Sequence, residues 1–342
     1  MMTPLALQGL RLPVIASPML IASYPEMVLA QCKSGIVGAF PALNARPSAQ
    51  LGDWIDTIDD ALRAHRDAHP DAPVGPYAVN HICHPSNPRV EQDLRICIER
   101  RVPLMITSLR APSRDVVDAI HAYGGLVLHD VTTVRHAQKA LEAGVDGLVL
   151  VAAGAGGHAG TLSPFALVGE VRRFYDGFIA LSGAIATGDA IAAARALGAD
   201  CAYIGTRFLA SHEANVVQRY KDTIVEATAS DIVYTDAFTG VHGNYLRQSI
   251  EAAGLDVRHL TRVDGAQLDF SPDAGMKQWR DIWGAGQGVG AMDAVLSVAE
   301  IVARLEAEYA RAVARLHPSP AAHAAAARRA PALSSSPPVE TP

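Results

Sequence analysis

The chain has 342 residues and a mass of 36.1 kDa, long enough for two ordinary domains or one large α/β barrel. Hydrophobic residues make up 49% and charged residues 19%, so a large core can be buried and disorder as the dominant state is excluded. The 29 Lys and Arg against 35 Asp and Glu leave a net charge of −6, without the basic excess that follows a phosphate backbone, so no nucleic-acid partner is expected.

Residues 1–11 lack the basic flank, long apolar run and small-residue cleavage site of a secretory leader. Cys32, Cys83, Cys97 and Cys201 form no CxxC pair, and together these features read as reduced thiols in a cytoplasmic protein. From there short apolar runs alternate with amphipathic stretches, the form of repeated β-α units around a parallel sheet. The runs predict eight strands, at 13–17, 36–39, 74–79, 104–107, 126–129, 147–151, 179–181 and 202–204. Between and after them the predicted helices are 25–33, 49–68, 90–100, 113–122, 134–143, 164–175, 186–196 and 213–227. Gly124, Gly144 and Gly198 each stand where a helix stops and a strand follows, which suits a left-handed helix end. Eight such pairs ending near residue 228 favour a (β/α)8 TIM barrel over an open doubly wound sheet. Residues 229–290, rich in Gly, Asp and aromatics, read as a cap over the barrel mouth, and 291–316 as a helix returning along the outside. Residues 317–342 are Pro, Ala and Ser with few charges and read as a disordered tail.

The most informative stretch runs from Val149 to Pro164. It is an apolar strand opening into four glycines that bracket His158. The uncharged segment 147–169 is long enough to span a bilayer, but its glycines, Pro164 and His158 favour a buried strand entering a loop, so no membrane is expected. At the carboxyl end of the sixth barrel strand, His158 would serve as a base, having a near-neutral pKa, or merely bond to backbone in a mobile loop. Residues 154–159 also match GxGxxA, but no acidic residue follows the next strand to hold a ribose, which opposes a dinucleotide site. The seventh and eighth strands end in matched glycine turns, Ser182-Gly183-Ala184 and Gly205-Thr206-Arg207. Loops there form the usual phosphate site of a barrel, with Ser182 or Thr206 adding a hydroxyl and Arg207 a charge. His81, Cys83 and His84 would be metal ligands or a substrate-facing polar loop, the latter favoured because further ligands are lacking. Tyr234, Phe238, His242 and Tyr245 would close an apolar pocket or form a small satellite core.

In order along the chain, Leu12 to Met19, Val79-Asn80, Ala155 to Gly160, Leu181 to Ala184, Gly198 to Phe208 and Gly284 to Gly290 resemble the nitronate monooxygenase family of FMN-dependent TIM barrels. The resemblance implies that Pro18 and Met19 lie beside the flavin ring, Asn80 hydrogen-bonds to it and Gly157 lines it. It further implies that Gly183, Ala184, Gly205 and Thr206 hold the phosphate and that Gln287 returns over the flavin from the cap. His158 takes the place of the family's proposed catalytic base, and the implied reaction converts nitroalkanes or nitronates and O2 to a carbonyl compound and nitrite. The chain departs from some members in having Asp130 in place of Lys, and Val151-Ala152 in place of an acidic residue. The same loop occurs in NAD(P)H-dependent flavin reductases of quinones or enoyl thioesters, the alternative activity. A non-catalytic barrel binding a phosphorylated ligand is the alternative of another class. A homo-oligomer is compatible with all three.

Overall fold

A computed structural model describes residue 4, residues 7–262 and residues 281–316. Six strands come first: β1 (Val14–Ala16), β2 (Gly38–Pro41), β3 (Tyr77–Cys83), β4 (Leu104–Leu109), β5 (Leu126–Val131) and β6 (Gly147–Val151). A two-residue strand, β7 (Gly157–His158), belongs to a second sheet, and β8 (Phe178–Ser182) and β9 (Cys201–Ile204) complete the barrel. The large sheet is all parallel in the order β1-β9-β8-β6-β5-β4-β3-β2. It closes through Val37, which accepts from Ala16 N–H at 2.8 Å and donates to the Val14 carbonyl at 3.1 Å. The TIM barrel expected from the alternating pattern is therefore the observed architecture.

Period-two alternation divides each strand between two cores. Ala78, Ile106, Leu128, Val149 and Ala180 turn inward and fill the barrel. Their neighbours Val79, Met105, Val127, Leu148 and Ile179 turn outward and pack under the helices. Those helices are α1 (Pro25–Lys33), α2 (Gln50–Ala68), α3 (Val90–Glu99), α4 (Arg114–His121), α5 (Val134–Glu142), α6 (Pro164–Arg172) and α7 (Gly188–Leu197). Thr133 and Thr187 cap α5 and α7 by accepting from the backbone N–H three residues on. Gly124, Gly144 and Gly198 have φ of +86°, +88° and +109°, the left-handed stops expected of them.

Several elements differ from the sequence reading, among them β3, which runs over 77–83 and not 74–79. The helix expected from 213 begins later, as α9 (Gln218–Glu226), because Glu213 instead receives Val298 N–H through its carboxylate. A four-residue turn of helix, α8 (Thr206–Leu209), precedes it. The helix expected from 291 begins at Val298, after a 3-10 turn over Gln287–Ala291, and is α11 (Val298–Leu316). It lies against α7 at Gly188, where any side chain would collide with the α11 backbone. Within 229–290, β10 (Ile232–Thr235) and β11 (Gly243–Leu246) form an antiparallel hairpin, followed by α10 (Arg247–Ala252). β11 also pairs with β7, Gly243 opposite His158, so the hairpin is joined to the loop after β6. The remainder of the expected cap, 263–280, and the expected tail, 317–342, lie outside the described residues. No helix among the described residues is long and apolar enough to cross a membrane.

Candidate active site

Toward the carboxyl ends of several strands an inward-facing residue breaks the apolar rule. Above Ile106 stands Ser108, above Leu128 stands Asp130, above Ala78 stands Asn80 and above Ala180 stands Ser182. Together with Ser17 and Tyr203 they floor a cavity of about 990 Å³ at the carboxyl ends of the strands. Pro18, Met19, Asn80, Gly157, His158, Ser182, Gly183, Ala184, Gly205 and Thr206 all line this one cavity. Gln287 does not: its side chain is exposed, and its flanking glycines Gly286 and Gly288 form the wall instead.

The floor is ordered by a directed chain. Asn80 donates through Nδ2 to Ile106 O at 3.2 Å and to Ser108 Oγ at 2.7 Å, and Ser108 donates to Asp130 Oδ2 at 2.7 Å. Both amide protons of Asn80 are thereby committed, so its Oδ1 is an acceptor. Asp130 is the only acidic residue of the described wall, which contains no Lys or Arg. Burial without a countercharge pushes its carboxyl up to about 7.

On the opposite side the wall is backbone. Gly183 has φ +137° and Ala184 φ +54°, and a Cβ on Gly183 would lie 2.8 Å from Ala153 O. Ile21 and Leu109, also on the wall, have φ of +70° and +74°. Thus three of the four described non-glycine residues with positive φ border this cavity, and such strain gathers at functional sites. The Gly154 carbonyl joins three segments, accepting from Ala184 N–H at 3.3 Å and Gln287 N–H at 2.9 Å. Thr206 Oγ1 accepts from Gly286 N–H at 2.9 Å, which leaves the hydroxyl proton to donate. The buried Asn244 donates to Ala155 O at 2.6 Å, fixing the glycine loop from β11.

His158 lines the mouth from β7, with Nε2 2.9 Å from Thr239 Oγ1, and burial pushes its imidazole down to about 4. The imidazole is therefore neutral at neutral pH. Its loop does not lead into a helix, as a dinucleotide fingerprint requires, but into β7.

Arg207 supplies no charge to the cavity. One position beyond Thr206 on α8, it points into the protein toward Arg304, Glu308 and Asp293, fully buried. His81 and His84 do not line the cavity, which corrects the polar-loop reading: His81 faces outward from β3, and His84 Nδ1 lies 2.8 Å from Ser86 Oγ. Among the described residues no three His, Cys, Asp or Glu side chains could share a metal. The cap aromatics divide their roles. His242 lines the cavity and stacks on Tyr234 at 5.1 Å, while Phe238 and Tyr245 belong to a satellite core with Ile250 and Ile282. Sequence reasoning missed Ser108, Tyr203, Asn244 and the stacked pair Tyr220 and Trp283, 4.8 Å apart on the wall. Continuing the alternation past each apolar run to its first polar residue would have found Ser108.

The profile of the nitronate monooxygenase family matches residues 5–308. A nitronate monooxygenase of Paraburkholderia phytofirmans is 27% identical, the alignment covering 91% of this chain and 96% of that one. The structure of FabK from Thermotoga maritima superposes with a TM-score of 0.72 at 25% identity, over 91% of this chain and 96% of the other. A nitroalkane oxidase from Streptomyces ansochromogenes gives 0.70 at 25% identity, over 90% and 98%.

Proposed function

The chain belongs to the nitronate monooxygenase family and is an oxidoreductase, and from that premise we propose that it binds FMN in the barrel mouth and oxidises alkyl nitronates and their parent nitroalkanes with O2. The products are a carbonyl compound and nitrite. One observation carries the reading: His158, the polar floor and both glycine turns border a single cavity. Family membership sets aside the non-catalytic barrel.

The residues fit such a cofactor. Gly183 and Gly156 each have other backbone within 3 Å of where a Cβ would stand, so only glycine lets these turns pack together, and an anion in the cavity they border would meet their main chain with no Cβ in the way. With no Lys or Arg in the described wall, a phosphate would rely on those groups and on the hydroxyls of Thr206 and Ser182. Gly183, Ala184 and Gly205 complete that end. Pro18 and Met19 would offer apolar contact to the ring, Gly157 would allow close approach, and Asn80 Oδ1 would be available as an acceptor to it. Gln287 acts through its main chain, which holds Gly154. When bound, FMN supplies the electron transfer between substrate and O2 that no side chain here can perform.

The neutral imidazole of His158 takes the α-proton of a nitroalkane, and the imidazolium so formed pairs with the nitronate anion. A preformed nitronate needs no such transfer. The test is a visible spectrum of the purified protein followed by O2 uptake with nitroethane and with ethyl nitronate. Flavin bands and uptake dependent on the nitronate are expected. Absence of flavin, even after FMN is added, would sink the proposal, and rapid anaerobic bleaching by NADPH without nitronate oxidation would replace it with the reductase activity.

A further inference from the structure

Among the described residues of the cap, Thr239 reaches the imidazole of His158. Thr239, between β10 and β11, is 3% exposed, and its Oγ1 lies 2.9 Å from His158 Nε2, 3.0 Å from Val241 O and 3.4 Å from Val241 N. A hydroxyl has one proton to give. The Val241 carbonyl can only accept and therefore takes it, the Val241 N–H can only donate toward Oγ1, and the Tyr245 hydroxyl, which also bonds to Thr239, can turn its own proton either way. The imidazole must then donate from Nε2 to Thr239.

We propose that Thr239 is the positioning residue of His158, holding the imidazole proton on Nε2 so that the basic lone pair belongs to Nδ1. This rests on the reading of His158 as the base and adds which nitrogen acts and what selects it. The main chain cooperates: Gly243 pairs with His158 across β11 and β7, and Ala159 N–H donates to His242 O at 3.3 Å. Ring orientation and tautomer are thus both set by the cap hairpin. In the reaction the α-C–H bond of the nitroalkane breaks, its electron pair stays on the substrate as the nitronate anion, and the proton forms a bond to Nδ1. The imidazolium then donates to Thr239 from Nε2 and to the anion from Nδ1.

The test uses the full-length, FMN-loaded enzyme with 15N-labelled histidine, His158→Asn assigning the signal among 13 histidines. Long-range 1H–15N spectra of the wild type should give the Nε2–H pattern for His158, a result that needs no substitution at Thr239. Thr239→Val removes the acceptor of a buried N–H and should shift the tautomer ratio about fivefold or more toward Nδ1–H. Oxidation of nitroethane should fall roughly tenfold, with ethyl nitronate changed by less than about twofold, and Thr239→Ser should restore both. An Nδ1–H wild type, or a Thr239→Val enzyme with unaltered tautomer, overturns the assignment. The predicted tautomer combined with equal losses on both substrates overturns instead the role of His158 as base.

Discussion

The two sides of the cavity are built by different means. After β6, β8 and β9 the wall is main chain in turns that glycine permits, with Gly183 at φ +137° and Gly156, in the loop after β6, in contact with the backbone of Gly286. At β3 to β5 the backbone is regular strand and the chemistry is in side chains, Asn80, Ser108 and Asp130 joined in one chain of hydrogen bonds. A backbone site depends on conformation and fails when a Cβ intrudes. A side-chain site depends on partners and loses strength in steps as each is removed.

Gly183→Val should break the first side outright. It forces a β-branched residue into positive φ and against Ala153 O, together worth ~3–4 kcal/mol of local strain, so FMN affinity should fall roughly 10²–10³-fold. Gly205 sharpens the contrast: its φ is not in the left-handed region and a Cβ there would sit 3.3 Å from Ser17 Cβ, so Gly205→Ala should alter affinity far less. Equal losses measured by fluorescence titration would show that both turns respond to bulk alone. Next in size, His158→Asn should lower nitroethane oxidation by ~10²-fold while FMN stays bound, with a smaller loss on ethyl nitronate. In the wild type, kcat/KM for nitroethane should fall on acidification toward pH 4, where the buried imidazole takes its proton, and the variant should lack that limb.

On the side-chain wall, Asn80→Ala removes two donated bonds and the Oδ1 acceptor and should weaken FMN binding by only about tenfold. A loss as large as that of Gly183→Val would erase the distinction between the two walls. The smallest effect concerns Asp130. Its carboxyl is pushed up to about 7 in the folded protein against an unfolded value near 4, so the folded state holds the proton more tightly. Its favourable contribution is complete below the unfolded value and is lost as pH rises through about 7. Asp130→Asn, uncharged throughout, should therefore lose less thermal stability between pH 5 and 8 than the wild type. Superimposable Tm profiles would mean that Asp130 is ionised in the folded protein.

Much of this was legible in the chain itself. Parallel strands buried on both faces read as apolar runs, and each helix must show one apolar stripe to the sheet, so eight β-α pairs and their glycine stops follow from periodicity. His158 and the turns at Gly183 and Gly205 stood out because glycine clusters at strand ends have a local conformational cause. Tyr203 carried no such local signal, and Ser108 only the break it makes in the apolar alternation of its strand. A single polar residue at a strand end becomes part of a cavity floor only when closure of the barrel brings distant strands round one axis. Arg207 shows the same point in reverse: next to Thr206 in sequence, it is sent by the helical turn to the far side of α8.

What the sequence determined by itself was the set of local conformations and the face each element buries, since these depend on residues within a few positions of one another. Tertiary structure alone decided that the β10–β11 hairpin would pair with β7, that Thr239 would meet an imidazole 81 positions away, and that Gln287 would contribute main chain rather than side chain. Those outcomes depend on which backbone donors and acceptors are still unpaired once the barrel has closed, a property of the assembled fold rather than of any segment.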